Sequence, residues 1–428
     1  MDEAAEAAVL HREVVCPFCA LACDDLAVEA QGVQLRIVER GCPRSTEAFA
    51  RPLGSSTPAL SGHPASLDEA IRRAADLLAA SRLPLLAGLG TDTDGVRAVL
   101  RLAERTGGVV DHAGAPGLFA NVLAMQSGGW ITATLAEVRN RMDLLLLVGT
   151  DAAGLMPRFF ERCVWPRQAL LEEALARRQI VYLGDADRLE AATAPDGRSP
   201  EVITCPRDAL GEVAGTLRAL LAEQRLQAKE VGGIAIQRLA ALAERLKSAR
   251  YAVIAWAAGE LPGRHTDLLV GRIAELIRAL NATTRCLGLP LAGADNVIGA
   301  NQVCGWQSGV PLRTSFATGE PDYDPHRHAT SRLLELGEAD LLVWISSFRD
   351  LPPPEADAPT ILLGPPGESP AKPPEVLIPV GTPGLDHAGS IYRTDGVVAL
   401  PLRRLRDAGL PSVAEVIGLI EQRLPGQG

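Results

Sequence analysis

Positive charge, aromatic side chains and long apolar runs are what this chain is short of. Aromatic residues make up 4% of it, a compositional bias from which no function follows. Its 52 acidic against 42 basic side chains leave a formal charge of −10. That balance argues against nucleic acid or an anionic membrane as partner, since both reward a basic surface. No stretch approaches the roughly 20 unbroken apolar residues of a membrane span; the longest are short runs such as Leu144–Val148. The opening Met1-Asp2-Glu3-Ala4 is acidic where a secretory leader is basic, so no secretory signal is expected and a cytoplasmic location is. Thiols stay reduced in that compartment, where clustered cysteines mean metal or catalysis more often than disulfides.

What is present is ample material for cores. At 428 residues, 47% hydrophobic and 22% charged, the chain is globular and too long for one ordinary core, so two or three domains are expected. Residues 26–38 alternate apolar and polar around Gln31-Gly32, which predicts a hairpin on a small β-rich cap. Residues 51–65, rich in Pro and Gly, read as a linker. After it, Ser66 with an acidic first turn opens a helix to about Ala80. Apolar strands then alternate with helices, at 84–90, 108–111, 143–151, 179–185, 251–256, 340–346 and 359–364, and a helix over 127–139 leads into the third of them. This is the pattern of parallel sheets covered on both faces, and so of an α/β protein. Gly88, Gly90, Gly149 and Asp151 fall at strand ends, where such sheets bind ligands; the alternative is that glycine there only permits a tight turn. Residues 301–323 have neither helical nor strand periodicity and read as a long polar loop.

The densest chemistry is at the start. Cys16, Cys19 and Cys23 fall within eight residues, and Cys42 follows alone; these are half of the chain's eight cysteines. Four thiolates so spaced suit one metal centre. Three packed thiols plus a lone fourth favour an iron–sulfur cubane first, zinc second and unligated thiols third. Cys163, Cys205, Cys286 and Cys304 are scattered and read as small buried hydrophobes.

The pattern Cys16-Pro17-Phe18-Cys19-x-x-x-Cys23-Asp24-Asp25 with a later lone cysteine resembles the N-terminus of the B subunit of formylmethanofuran dehydrogenase. That subunit belongs to the molybdopterin oxidoreductase family. The likeness continues in Asp68-Glu69-Ala70-Ile71, Glu137–Asp143, Asn301-Gln302-Val303-Cys304-x-Trp306-x-Ser308-Gly309, Gly319-Glu320-Pro321-x-Tyr323-x-Pro325, and Tyr392-Arg393-x-x-Gly396-Val397. It implies a [4Fe–4S] cluster on Cys16, Cys19, Cys23 and Cys42. It also implies a small Cys-rich domain over 1–55 and a discontinuous Rossmann-like domain from 56–138 with 330–428. A second such domain, over 139–329, would be inserted between them. These would be domains I–III of the family, with the C-terminal β-barrel domain of catalytic relatives, if present, on another polypeptide.

One departure governs the expected function. In catalytic members the loop after the strand resembling residues 108–111 carries a cysteine that binds tungsten or molybdenum and a histidine that assists. By alignment through residues 121–126 those positions hold Gly117 and Leu118 here, and His112 lies too early and reads as a surface or loop residue. Glycine offers a metal no side-chain donor and leucine relays no proton. The apolar stretch 152–157, where catalytic relatives are more polar, points the same way. No tungsten or molybdenum pterin is therefore expected, and no catalytic residue. The resemblance implies a pseudo-enzyme: a structural B subunit of the formyltransferase/hydrolase complex of bacterial one-carbon metabolism and methylotrophy. That complex passes a formyl group from tetrahydromethanopterin to a methanofuran-type carrier and hydrolyses it to formate. Its partners would be the amidohydrolase-like A subunit, the C subunit and the formyltransferase D subunit. Asn301, Trp306, Tyr323 and Arg393 would line an internal cavity or a subunit contact, or would belong to a loop that holds two domains together. The alternatives are an active pterin dehydrogenase with a non-cysteine ligand, and a free-standing iron–sulfur electron carrier.

Overall fold

A computed structural model describes residues 7–367 and 372–426; the acidic start at Met1–Ala4 lies outside them. The chain forms two compact units, one from residues 1–115 with 294–428 and one from 116–293.

The first unit opens with an antiparallel sheet of Val9–Val14, Leu26–Gln31 and Gln34–Glu39, followed by the helix Pro43–Phe49. The hairpin expected at Gln31-Gly32 is there, with Gly32 in the left-handed region at φ 56°. The preceding strand Val9–Val14 carries exposed Val9 and Leu10 without strict alternation, which is why the pattern does not announce it. Among the described residues the unit's main sheet has nine strands. Five central ones run parallel, in the order Val109–Val110, Pro84–Gly90, Leu341–Ser346, Thr360–Gly364, Val376–Pro379. Short antiparallel strands flank them: Thr314–Ser315 and Asp322–Tyr323 on one side, Ala59–Leu60 and His63–Pro64 on the other. The Pro/Gly-rich stretch 51–65 is thus partly the edge of a sheet, where proline costs no ladder bond.

Pro84–Gly90 and Leu341–Ser346 are buried along their whole length, as strands covered on both faces must be. The helix Leu67–Ala80 covers part of that sheet. Ser66 and Glu69 close a capping box at its start, and Ala70, Ile71, Ala74, Ala75 and Leu78 form its buried stripe. Thr93–Thr106 begins on an Asp92 cap and ends on left-handed Gly107, and Val413–Arg423 packs against both helices. The cysteine-bearing cap is joined to this unit through its core. Val15 and Ala22 pack with Phe348, Ile391 and Leu402, and the Thr394 N–H donates to the Ala20 carbonyl at 2.8 Å.

The second unit is an all-parallel sheet in the order Glu201–Ile203, Gln179–Leu183, Leu144–Val148, Ala252–Trp256, Cys286–Pro290. Helices Leu210–Leu221, Ile236–Ser248 and Thr266–Leu280 contribute to its core, with Leu146, Val148, Ile254 and Trp256 at the centre.

Three expectations need correction. Residues 112–120 are not a loop throughout: Ala115–Gly128 is helical, and its apolar residues fall on every side, so no stripe marks it. The helix expected over 127–139 is instead the end of that helix and a separate one at Leu135–Arg141. Residues 301–308 finish the helix Val297–Ser308, whose Gly, Asn and Gln residues hide the periodicity. The division of the chain follows from these helices. Ala120 and Ala124 enter the core of the second unit, whereas Val297–Ser308 packs on Thr93–Thr106 and Thr314–Ser315 pairs with Val109–Val110. The units therefore change at 115/116 and 293/294 rather than at 138/139 and 329/330.

A buried ion pair ties the cap's hairpin to the C-terminal segment. Arg406 Nε donates to Asp386 Oδ1 at 2.6 Å and Arg406 NH1 to the Val33 carbonyl at 2.9 Å, while Asp386 Oδ2 accepts the Thr382 N–H at 2.7 Å. Arg406→Met would strand a buried carboxylate and should cost about 3–5 kcal/mol in denaturant unfolding, and adding Asp386→Asn should recover part of the loss.

Candidate functional site

The four N-terminal thiols are held by backbone geometry. The Cys16 N–H donates to the Cys23 carbonyl at 2.8 Å and the Ala22 N–H to the Cys19 carbonyl at 3.0 Å. Ala22 takes a left-handed φ of 45° to close the turn. Cys42 caps the helix Pro43–Phe49: its Sγ accepts the Ser45 N–H at 3.4 Å and its own N–H donates to Ser45 Oγ at 2.9 Å. Phe18 and Phe49 meet edge to face at 5.5 Å, joining the loop to that helix. Cys16, Cys19 and Cys23 are buried and Cys42 is half-buried. Burial pushes the Cys16 thiol well up, Cys19, Cys23 and Cys42 add repulsion, and a backbone hydrogen bond from Phe18 opposes them. Burial also raises Cys19, against hydrogen bonds from the Leu21 and Ala22 backbone and the charge of Arg44. The four sulfurs therefore share one electrostatic neighbourhood, and backbone N–H groups point at three of them. Among the described residues no three His, Cys, Asp or Glu side chains are grouped closely enough to hold a single metal ion.

The segment after Val109–Val110 is a buried joint. Asp111 Oδ1 accepts from the His112 N–H at 2.9 Å and from Arg313 Nε at 3.4 Å; Oδ2 accepts from the Thr330 N–H at 2.9 Å and its hydroxyl at 2.8 Å. His112 is 2% exposed, which corrects the surface reading. Its Nδ1 accepts the Gly114 N–H at 2.8 Å, so the ring proton sits on Nε2, which donates to the Asp295 carbonyl at 3.0 Å. Burial pushes this imidazole below its ordinary value and keeps it neutral.

Gly117 and Leu118 lie in the first turn of Ala115–Gly128. A Cβ on Gly117 would stand 2.9 Å from the Gly259 nitrogen and 3.1 Å from its Cα, so backbone fills the space a side chain would need. Leu118 is buried.

The remaining expected residues are spread along linked segments. Asn301 Oδ1 accepts the Leu312 N–H at 3.2 Å. Tyr323 pairs with Thr314 in the edge ladder. Trp306, 58% exposed, packs its ring at 5.7 Å from Tyr392, and Arg393 NH2 donates to Asp395 Oδ2 at 3.0 Å. Gln302 Nε2, donating to the Gly396 carbonyl at 2.6 Å, brings the helix of Trp306 against the turn of Arg393. Sequence reasoning missed Asn296. In the left-handed region at φ 58°, it donates Nδ2 to the Thr91 carbonyl at 3.0 Å and accepts the Tyr392 N–H at 3.0 Å. Gly293-Ala294-Asp295-Asn296 has the composition of a turn, the one signal that pointed there.

No family model matches the chain. It is 33% identical over 344 residues to the B subunit of the formyltransferase/hydrolase complex Fhc of Methylorubrum extorquens, covering 79% of this chain and 89% of that one. The chain belongs to this B-subunit family. It is also similar to the B subunit of tungsten-containing formylmethanofuran dehydrogenase 2 of Methanococcus maripaludis, at 25% identity over 97% of this chain and 99% of the other. The corresponding protein from Methanocaldococcus jannaschii is 27% identical, over 92% and 94% of the two chains. A chain in the crystal structure of the FhcABCD complex from Methylorubrum extorquens with methylofuran superposes with a TM-score of 0.72 and 29% identity, covering 86% of this chain and 98% of that chain. The α/β architecture described above is thus that of this family.

Two measurements probe the site's framework. Because folding lowers the proton affinity of His112, the unfolded chain binds the extra proton below its ordinary value near 6.5. The stability this group contributes is whole above that pH and falls as pH drops through the lowered value, with a limiting slope of ~1.4 kcal/mol per pH unit. His112→Gln should flatten the pH dependence of Tm between pH 7 and pH 5 relative to the parent. Gly117→Ala should cost about 1–3 kcal/mol through the clash with Gly259. Gly271→Ala, in a helix with open space at its Cβ, should be neutral or gain up to ~1 kcal/mol. Denaturant unfolding compares the two.

Proposed function

We propose that the chain is a structural, non-catalytic B subunit of a cytoplasmic formyltransferase/hydrolase complex. Formyl transfer from formyl-tetrahydromethanopterin to a methanofuran-type carrier, and hydrolysis to formate, would take place on the A, C and D subunits. The observation that carries this reading is at Gly117. The position that the resemblance aligns with the metal-binding cysteine has no donor atom and no room for one beside the Gly259 backbone. Buried Leu118 at the histidine position offers no proton. A tungsten or molybdenum pterin does not fit these residues. Hydrolysis of a formamide needs an activated water and no electron acceptor, so a companion polypeptide can perform it without this site. Similarity to the Fhc relative supports the assignment. Exposed Trp306, backed by Tyr392, is the kind of aromatic anchor a subunit contact uses.

The chemistry of the N-terminal thiols supports an iron–sulfur group in this reading. Cys16, Cys19, Cys23 and Cys42 would hold it through their sulfurs, and backbone N–H groups point at three of those sulfurs. Their three-plus-one spacing favours a cubane over zinc. Such a cluster would supply one-electron capacity when bound; in this reading it serves as a staple between the Cys16–Cys23 loop and the helix capped by Cys42. The dehydrogenase reading keeps one observation in its favour, the longer alignment with the archaeal tungsten proteins.

Metal analysis of the anaerobically purified complex decides between them, with its visible and EPR spectra. Iron on this chain with neither tungsten nor molybdenum is the expected result. Stoichiometric tungsten or molybdenum with bound pterin would end the structural reading. A chain that elutes alone and bleaches reversibly would mark an electron carrier instead.

A further inference from the structure

The parallel sheet of residues 116–293 reverses its strand order between Leu144–Val148 and Ala252–Trp256. From the first the chain moves out to Gln179–Leu183, and from the second, on the other side, to Cys286–Pro290. A reversal of this kind opens a crevice beyond the carboxyl ends of the two strands, where open α/β sheets take their ligands. Here a carboxylate of the chain itself stands in it. Thr150, 2% exposed, donates its hydroxyl to Glu260 Oε2 at 2.6 Å, and the Asp151 N–H donates to the same oxygen at 3.0 Å. The backbone from which Glu260 reaches is fixed by Arg207 NH1, which donates to the Glu260 carbonyl at 3.0 Å. Beside it Gly149 must stay bare: a Cβ there would meet Leu210 Cδ1 at 2.6 Å and Leu261 Cδ2 at 3.1 Å. The other carboxylate at this corner is engaged elsewhere. Asp151 accepts the Gly154 N–H at 2.9 Å and pairs with Arg188.

A hydroxyl and a backbone amide thus converge on one oxygen of an anion, as they do where such a crevice holds a phosphate oxygen. We propose that Glu260 is a resident anion: it occupies the crevice and shuts out exogenous oxyanions, and removing its carboxylate opens a site for phosphate. This does not depend on which complex the chain serves. With Glu260 in place the two donors have no free capacity, and a phosphate approaching them meets a like charge within hydrogen-bonding distance. With the carboxylate gone, buried Thr150 loses the acceptor at 2.6 Å, and an oxyanion can restore it while Arg188 and Arg207 stand nearby as cations.

Thermal unfolding of the full chain in inorganic phosphate, against chloride of equal ionic strength, tests this. The parent should show only the general salt effect. Glu260→Ala should melt lower in chloride and recover saturably in phosphate, with an apparent phosphate affinity at least roughly tenfold above the parent's; adding Thr150→Val should abolish the recovery. Glu260→Gln keeps the shape without the charge, so it folds even where the alanine variant does not, and it should show the same recovery at higher phosphate. A saturable response of equal strength in the parent, or its absence from both Glu260 variants, overturns the proposal.

Discussion

A parallel sheet leaves backbone carbonyls and amides pointing past the carboxyl ends of its strands, and each must find a partner or stay solvated. Both units of this chain supply the partners from their own side chains. In the first, the Ser347 N–H and hydroxyl both donate to the Gly90 carbonyl, at 2.7 and 2.9 Å. Asn296 spans from the Thr91 carbonyl to the Tyr392 N–H. In the second, Glu260 takes the Thr150 hydroxyl and the Asp151 amide. Holding a residue left-handed costs roughly 1–2 kcal/mol for most side chains and less for asparagine, which explains why Asn296 rather than a larger residue bridges two segments at φ 58°.

The same internal satisfaction accounts for the state of Asp111 and His112. A buried carboxylate is tolerable when both oxygens are engaged, and Asp111 accepts four hydrogen bonds, one of them from the guanidinium of Arg313. A buried histidine is tolerable when neutral with both nitrogens matched, as Nδ1 and Nε2 are here. Neither group has a free lone pair or proton aimed at open space. They fix the path of the chain just after Val109–Val110.

Much of this was legible in the sequence wherever one physical rule acted alone. Ser66 and Glu69 announced a helix start because the capping box is local. The runs 84–90, 144–148, 252–256 and 341–346 announced strands because burial on both faces forces continuous apolar residues. The chemistry-bearing segments were harder. Ala115–Gly128 is apolar around its whole circumference, and Val297–Ser308 carries Gly, Asn and Gln with no stripe, so tertiary packing and not periodicity makes them helical. The clash at Gly117 was invisible for another reason: its other half, Gly259, is 142 positions away (259 minus 117). Composition names a residue that lacks a donor, and only the fold says whether there is room for one.

The cysteine cap can be understood in the same terms. Its attachment to the first unit does not require a metal: Val15 and Ala22 are packed against Phe348, Ile391 and Leu402, the Thr394 N–H reaches the Ala20 carbonyl, and Arg406 holds the Val33 carbonyl. Inside the cap, by contrast, the loop Cys16–Cys23 and the helix begun by Cys42 are joined by the ring contact of Phe18 with Phe49. Three buried thiols stand in that loop, with N–H groups directed at the sulfurs of Cys16 and Cys19. Desolvation favours the neutral thiol, whereas inward N–H donors favour the thiolate. A metal group would resolve that conflict, because it would take the thiolates' charge while the N–H groups kept their acceptors. It would also stabilise the cap by binding the folded and not the unfolded chain. That benefit needs no electron partner, so a metal group on these thiols would be compatible with the structural role proposed for the chain.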